Sequence, residues 1–282
     1  MDSKLQVLLS GLSFPEGPRW YQGKLWFSDF YTQRVQTVDA SGKTETKAEV
    51  PQRPSGLGFM PDGTLLVVSM LDRCVLRVKN GQNQLHADLS KFAGGPCNDM
   101  VVDAKGRAYV GNFGYEKNKG EAQRTTRIVL IEPDGKARPV GEELLFPNGT
   151  VISPDGKVLI VGETFANRLT AFDIAANGDL SSRRLFAKIS GCTPDGICLD
   201  AEGAVWVTDP VGKRVLRVFD GGKVDREISF GAGRGAYACV LGGPDRKTLF
   251  VLTNTGSGPA MADKRDGRVE YIRVDIAGAG IP

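Results

Sequence analysis

The sequence predicts an all-β fold: a six-bladed β-propeller of four-stranded antiparallel blades, forming a single domain over residues 1–282. Three observations predict it. A short apolar strand recurs six times, its starts 40, 43, 50, 47 and 43 residues apart. Each copy lies among other short strands, so that about four strands fill each repeat, and a period of about 40–50 residues with four strands is the signature of a propeller blade. Nowhere do apolar residues recur at helical spacing for long, which argues against a TIM barrel or a doubly wound sheet.

The unit is clearest in CTPDGICLDAEGAVWVTD (192–209): a strand, a turn at Asp200-Ala201-Glu202-Gly203, and a second strand ending at Asp209. Alternating apolar residues bounded by Gly, Pro and Asp form a hairpin pattern. First strands fall at 15–20, 54–59, 98–103, 147–153, 194–200 and 236–242, and second strands at 23–29, 63–69, 106–112, 156–163, 203–209 and 246–253. Third strands follow at 34–39, 73–78, 127–132, 168–173 and 214–219, usually with a weaker fourth. One blade cannot bury both of its faces, so blades stack around a channel. LQVLLS (5–10) precedes the first repeat and VEYIRVDI (269–276) follows the sixth, so the N-terminal strand is expected to pair with the last blade. That closes the ring and removes an exposed edge.

Composition narrows the function. With 36 Lys and Arg against 33 Asp and Glu, the net charge is +3 and dispersed; no nucleic acid or anionic membrane partner is expected. The KRDGR run (264–268) reads as a solvated turn. No apolar run approaches the ~18 residues that span a bilayer, and the first residues lack the pattern of a secretory signal, so a cytoplasmic location is expected. The five cysteines include no CxxC pair and read as core residues in a reducing compartment, with no disulfide even between Cys192 and Cys198. The one histidine, His86, lies in what reads as an outer strand and loop. That rules out a polyhistidine zinc site, and with no GxSxG elbow a serine triad has no support. GAGRGA (231–236) precedes a strand and not a helix, so it is no dinucleotide fingerprint.

Aligning repeats on the second-strand glycine brings polar residues into register. Ser55, Asn98, Asn148 and Asp195 each precede that glycine by eight residues, and Glu16 precedes Gly23 by seven. Equivalent positions in a ring point to one place, so Glu16, Asn98, Asn148 and Asp195 are expected to converge at the channel mouth. Two carboxylates and two amides form an all-oxygen set suited to a hard divalent cation; without one, the carboxylates would raise each other's pKa. Asp29, Ser69, Asn112, Glu163 and Asp209 end second strands on the same face and read mainly as caps. Phe30, Met70, Phe113, Phe165 and Tyr237 lie beside them and offer the mouth an apolar wall for substrate.

FPEGPRW (14–20), CNDMVVDAKGR (97–107), FPNGTVISPDG (146–156) and TPDGICLDAEGAVWV (193–207) resemble the regucalcin (senescence-marker protein)/gluconolactonase family over essentially the whole chain. The resemblance implies one divalent metal, calcium first, with magnesium, manganese, zinc or iron as alternatives, held by Glu16, Asn148 and Asp195. It implies that Asn98 touches substrate or metal and that Asp195 is also the catalytic base. Sugar-lactonase members carry an arginine two residues before the asparagine matching Asn98; Pro96 stands there, which points to a less polar lactone or cyclic ester. The expected activity is metal-dependent opening of a lactone, with Asp195 activating water or attacking directly and a small lactone or ester as the partner. The alternatives are a phosphotriesterase-like hydrolase on the same metal, a non-catalytic calcium-binding or scaffold propeller, and a strictosidine-synthase-like enzyme, which would need a catalytic glutamate at this mouth.

Overall fold

The computed structural model describes residues 4–79, 81–231 and 233–280. Asn80 of the His86 segment and Ala232 of GAGRGA lie outside the described residues. The chain opens with β1 (Gln6–Leu12) and then builds blades in turn. Blade one is β2 (Pro15–Tyr21), β3 (Lys24–Asp29), β4 (Arg34–Val38) and β5 (Thr44–Glu49). Blade two is β6 (Pro54–Phe59), β7 (Leu65–Ser69), β8 (Cys74–Lys79) and β9 (Gln82–Asp88). Blade three is β10 (Cys97–Val102), β11 (Ala108–Asn112), β12 (Thr126–Ile131) and β13 (Ala137–Leu144), and blade four is β14 (Pro147–Ile152), β15 (Val158–Glu163), β16 (Arg168–Ile174) and β17 (Leu180–Lys188). Blade five is β18 (Ile197–Leu199), β19 (Val205–Asp209), β20 (Arg214–Val218) and β21 (Val224–Ser229). Blade six joins β22 (Gly235–Gly242), β23 (Thr248–Asn254) and β24 (Gly267–Arg273) to β1. The result is six four-stranded antiparallel sheets, each ordered as a meander.

The ring closes in two ways. The first strands touch in a circle, β2 against β6, β10, β14, β18 and β22 in turn, with β22 returning to β2. At the rim β1 pairs antiparallel with β24, Gln6 opposite Tyr271 and Leu12 opposite Gly267, as the flanking segments predicted. That pairing gives blade six a fourth strand and ties the N-terminal segment to the last repeat.

The core is a set of layers between neighbouring blades. Leu66, Val68 and Val75 of blade two pack on Met100, Val110 and Val129 of blade three, while Leu169 and Ala171 of blade four pack on Val205 and Val207 of blade five. This explains the burial gradient across a blade: β6 is buried at every residue, whereas β5 buries a single one. Inner strands have protein on both faces, and outer strands face water.

Several expectations change in detail. KRDGR is only partly a turn: Met261–Lys264 forms one helical turn, Arg265 takes a left-handed φ of 52°, and Gly267 and Arg268 already belong to β24. All five cysteines are buried free thiols, and the close pair is Cys198 with Cys239, Sγ to Sγ 3.6 Å, across blades five and six. His86 lies on the outer strand β9 with Nδ1 3.4 Å from Arg77. Among the described residues no helix is long and apolar enough to cross a membrane.

Candidate active site at the channel mouth

First strands begin, and second strands end, at the same face, as the pairings Pro15–Asp29, Cys97–Asn112 and Pro147–Glu163 show. The second residue of each first strand therefore stands at the mouth. These residues are Glu16, Ser55, Asn98 and Asn148, while Asp195 lies just before the short β18. The ladder breaks immediately after each: register shifts fall between Glu16 and Arg19, Pro54 and Leu57, Cys97 and Met100, and Pro147 and Thr150. Bulges of this kind re-aim a side chain, and here they turn the residue toward the axis.

The glycine after the mouth residue has a packing reason. A Cβ on Gly17 would lie 2.6 Å from the Ser55 carbonyl oxygen, one on Gly149 2.5 Å from the Ile197 nitrogen, and one on Gly196 2.6 Å from the Ala238 Cα. Each would collide with the next blade's inner backbone. The Glu-Gly, Ser-Gly, Asn-Gly and Asp-Gly pairs are thus places where inner strands approach closely, and not ordinary turns. Two of these glycines also join neighbouring strands: the Gly149 N–H donates to the Asp195 carbonyl at 3.1 Å and the Gly196 N–H to the Tyr237 carbonyl at 2.8 Å. Blade three departs from the pattern with Asp99, whose carboxylate receives Arg19 of blade one at 2.9 Å.

The polar side chains form a chain around the mouth. The Ser55 hydroxyl approaches Asn98 Oδ1 at 3.4 Å, Asn98 Nδ2 donates to Asn148 Oδ1 at 2.8 Å, and Asn148 Nδ2 donates to Thr164 Oγ1 at 3.1 Å. The Asn148 amide favours the charged form of the Asp195 carboxyl. Asn98 and Asn148 are buried, while Glu16 and Asp195 keep partial exposure to the mouth. Burial pushes the Glu16 carboxyl well above its ordinary range, and the charges of Asp195 and Asp99 push it further. Burial likewise pushes Asp195 up to about 8, Asp99 adding to the rise, with Asn148 and Lys117 opposing it. The structure therefore brings Glu16, Asn98, Asn148 and Asp195 to one electrostatically coupled centre.

Four of the five strand-end residues, Asp29, Asn112, Glu163 and Asp209, are satisfied caps, as their positions suggested. Asp29 accepts from the Ser13 N–H at 3.1 Å and the Phe14 N–H at 2.7 Å; Asn112 accepts from the Gly114 N–H at 3.0 Å and Thr126 at 2.8 Å. Glu163 takes the Leu145 N–H at 2.8 Å and Arg168 at 2.7 Å, and Asp209 takes the Gly212 N–H at 3.0 Å and Arg214 at 3.1 Å.

The apolar wall gathers as one cluster of Phe14, Phe30, Met70, Tyr237 and Met261, with Phe113 packed against it. Phe113 stacks on Phe146 at 4.4 Å between centroids, and Phe146 meets Phe165 at 4.7 Å. Phe14, Phe146, Met261 and Thr164 were not singled out from the sequence. A signal for two of them existed: Phe14 and Phe146 each stand two residues before a mouth residue, in the parallel phrases FPEG and FPNG.

Among the described residues no three His, Cys, Asp or Glu side chains cluster as metal ligands. A metal here would rest on two carboxylates and amide oxygen. That set fits a divalent cation: among the described residues Glu16 receives only the Gly17 N–H, at 3.2 Å, and two half-buried carboxylates with raised pKa values are short of positive charge. A hollow of about 50 Å³ at the opposite end of the channel, lined by Val102, Leu199, Leu241 and Gly278, has no acidic cluster.

Comparison with known proteins agrees with this architecture. A family model described as the SMP-30/Gluconolactonase/LRE-like region matches residues 14–255, which include all five mouth residues. A 6-deoxy-6-sulfogluconolactonase of Pseudomonas putida is 25% identical over 270 residues, 92% of this chain and 89% of the relative. A pentonolactonase of Haloferax volcanii is 25% identical over 289 residues, 95% of this chain and 92% of the relative. The structure of a calcium-binding protein, regucalcin, from Agrobacterium tumefaciens superposes with a TM-score of 0.82 at 22% identity, covering 99% of this chain and 97% of that one. At that identity it speaks to the fold alone.

Proposed function

The chain belongs to the SMP-30/Gluconolactonase/LRE-like family, and on that premise we propose that it is a divalent-metal-dependent hydrolase that opens a lactone. The observation that carries the reading is the pair of under-compensated carboxylates, Glu16 and Asp195, set beside the amides of Asn98 and Asn148. Two curated relatives bear lactonase names, and a regucalcin described as calcium-binding shares the fold, which makes calcium the first cation to try.

Glu16, Asn148 and Asp195 would hold the metal. When bound, it supplies a Lewis acid for the lactone carbonyl and charge to offset the developing oxyanion. Asp195 is the general base. Its carboxylate takes a proton from water as the oxygen adds to the carbonyl carbon. The ring C–O bond then breaks, and the departing alkoxide takes the proton back, leaving a hydroxy acid. Asn98 is held by Ser55 and Asn148; it retains one amide hydrogen for the substrate. Phe30, Met70, Phe113 and Tyr237 exclude water and take the hydrocarbon face of the ring.

The test is lactone hydrolysis by pH-stat, on protein stripped with chelator and then resupplied with calcium, magnesium, manganese, zinc or iron in turn. The expected result is loss of turnover on stripping and its return with at least one cation. Full activity after complete metal removal would sink the metal-dependent mechanism. A phosphotriester in the same panel tests the nearest alternative chemistry.

A further inference from the structure

We propose that Lys117 is the specificity-determining cation of the mouth and that the lactone it selects carries an anionic substituent, a carboxylate, sulfonate or phosphate. The inference rests on the lactonase reading and adds the substrate class, replacing the less polar lactone to which Pro96 pointed.

Lys117 begins a short 3-10 turn, Lys117–Lys119, in the long connection between β11 and β12. Its ammonium sits over the Phe165 ring, 5.6 Å from the centroid. Phe165 follows Thr164, whose hydroxyl accepts from Asn148 at 3.1 Å and donates to the Pro194 carbonyl at 2.7 Å. The cation is therefore seated on the ring that follows Thr164, the residue that braces Asn148 and the Pro194 carbonyl beside Asp195. Its charge also acts on Asp195 across the mouth.

The cations nearest Lys117 on its side of the mouth are committed elsewhere, whereas Arg53 lies over Tyr31 on the side of blades one and two, 4.8 Å from the ring centroid. Arg73 binds Glu116 at 2.7 Å, Lys119 lies 3.7 Å from the same carboxylate, and Arg124 binds Glu121 at 2.8 Å. Arg19 is buried against Asp99. Lys117 has no ion pair among the described residues. The rest of that wall is Phe113, Phe146 and Phe165, which offers a substrate no polar partner. A lactone placed with its carbonyl at Asp195 would thus meet hydrocarbon and the Lys117 ammonium on the flank of Phe113, Phe146 and Phe165. A neutral ring gains little from that charge, whereas an anionic arm gains a charge-assisted contact.

The test compares wild type, Lys117→Met, Lys117→Arg and Lys119→Met on three probes: glucono-δ-lactone, δ-valerolactone and the carboxylate-bearing glucaro-1,4-lactone. Wild type should prefer the anionic lactone. Lys117→Met should lose about tenfold in kcat/KM on it, mainly through KM, since one charge-assisted contact is worth about that factor. Both neutral probes should change less than about threefold, the effect expected of a screened exposed charge. Lys117→Arg should restore most of the preference, and Lys119→Met should leave it intact. Added salt should depress the anionic rate in wild type and not in Lys117→Met, a response that a merely structural lysine would not give. Equal rates on neutral and anionic lactones in wild type, or a preference that survives Lys117→Met, would overturn the proposal while leaving the lactonase reading standing. Failure to hydrolyse any of the three with every cation supplied would bring down both.

Discussion

Two sets of acids lie at the same face of the ring, and they are built on opposite terms. Glu163 and Asp209, at second-strand ends, are wholly buried, yet each is ringed by backbone N–H groups, hydroxyls and an arginine. Although burial raises their pKa, those partners prevail and hold both carboxyls below their ordinary range. Glu16 and Asp195, at first-strand starts, are more open to solvent but poorer in partners, and burial wins. Satisfied carboxylates hold a fold together. Unsatisfied ones raise its energy, and a fold keeps them for the charge they can accept. The register of the repeats predicts both sets alike; partner count separates them.

The largest test of this contrast is Asp195→Asn. The substitution keeps shape and hydrogen bonding and removes the base, so turnover should fall on the order of a thousandfold while circular dichroism and melting temperature hold. A variant that unfolded would move Asp195 into the structural set, and one that stayed active would remove it from the chemistry.

Glu163→Ala asks the converse. It strands the Leu145 N–H, the Thr170 hydroxyl and Arg168 together. Losing charge-assisted hydrogen bonds at a buried acid costs about 2–3 kcal/mol, and Arg168 keeps enough exposure to recover some hydration. Chemical denaturation should show that loss, with kcat/KM of the folded fraction within about threefold of wild type. A large loss of kcat/KM without loss of stability would place Glu163 in the site.

How far the sequence reaches follows the same division. The blades and their closure were legible because a strand repeats its own local pattern: apolar alternation, then a turn glycine. Even the odd spacing of Glu16 has a local cause. Blade one turns in two residues, Gln22 and Gly23, both at positive φ, with Tyr21 opposite Lys24, whereas blade two spends five between Phe59 and Leu65. The two-residue turn is the favoured hairpin connection. Second strands begin a residue or two after the glycine because the glycine belongs to the turn. The mouth residues were legible as a register, but their surroundings were not. Arg19 reaching Asp99, Asn98 donating to Asn148 and Cys198 meeting Cys239 each join different blades, and no spacing within one repeat encodes a contact between two.

The smallest and most discriminating effect is Glu16→Gln. In metal-free protein the two carboxyls have raised pKa values, so the folded state holds protons that the unfolded chain releases near pH 4. Below that range both states are protonated and the groups cost nothing. As pH rises toward about 8, where Asp195 itself ionises, the unfolded state gains and stability is lost. Glu16→Gln removes one of the two charges. In chelator it should therefore melt with wild type at pH 4 and a few degrees above it at pH 8, a degree of shift that about 1–2 kcal/mol produces in a chain of this size. With calcium at pH 8 the order should reverse, because wild type gains more from the cation than the variant does. Glu163→Ala run alongside should show the opposite trend, its deficit fading as pH falls through the depressed pKa of the wild-type group. If Glu16→Gln were destabilising at pH 8 in chelator, Glu16 would belong with the caps, and the distinction between the two sets of acids would fail.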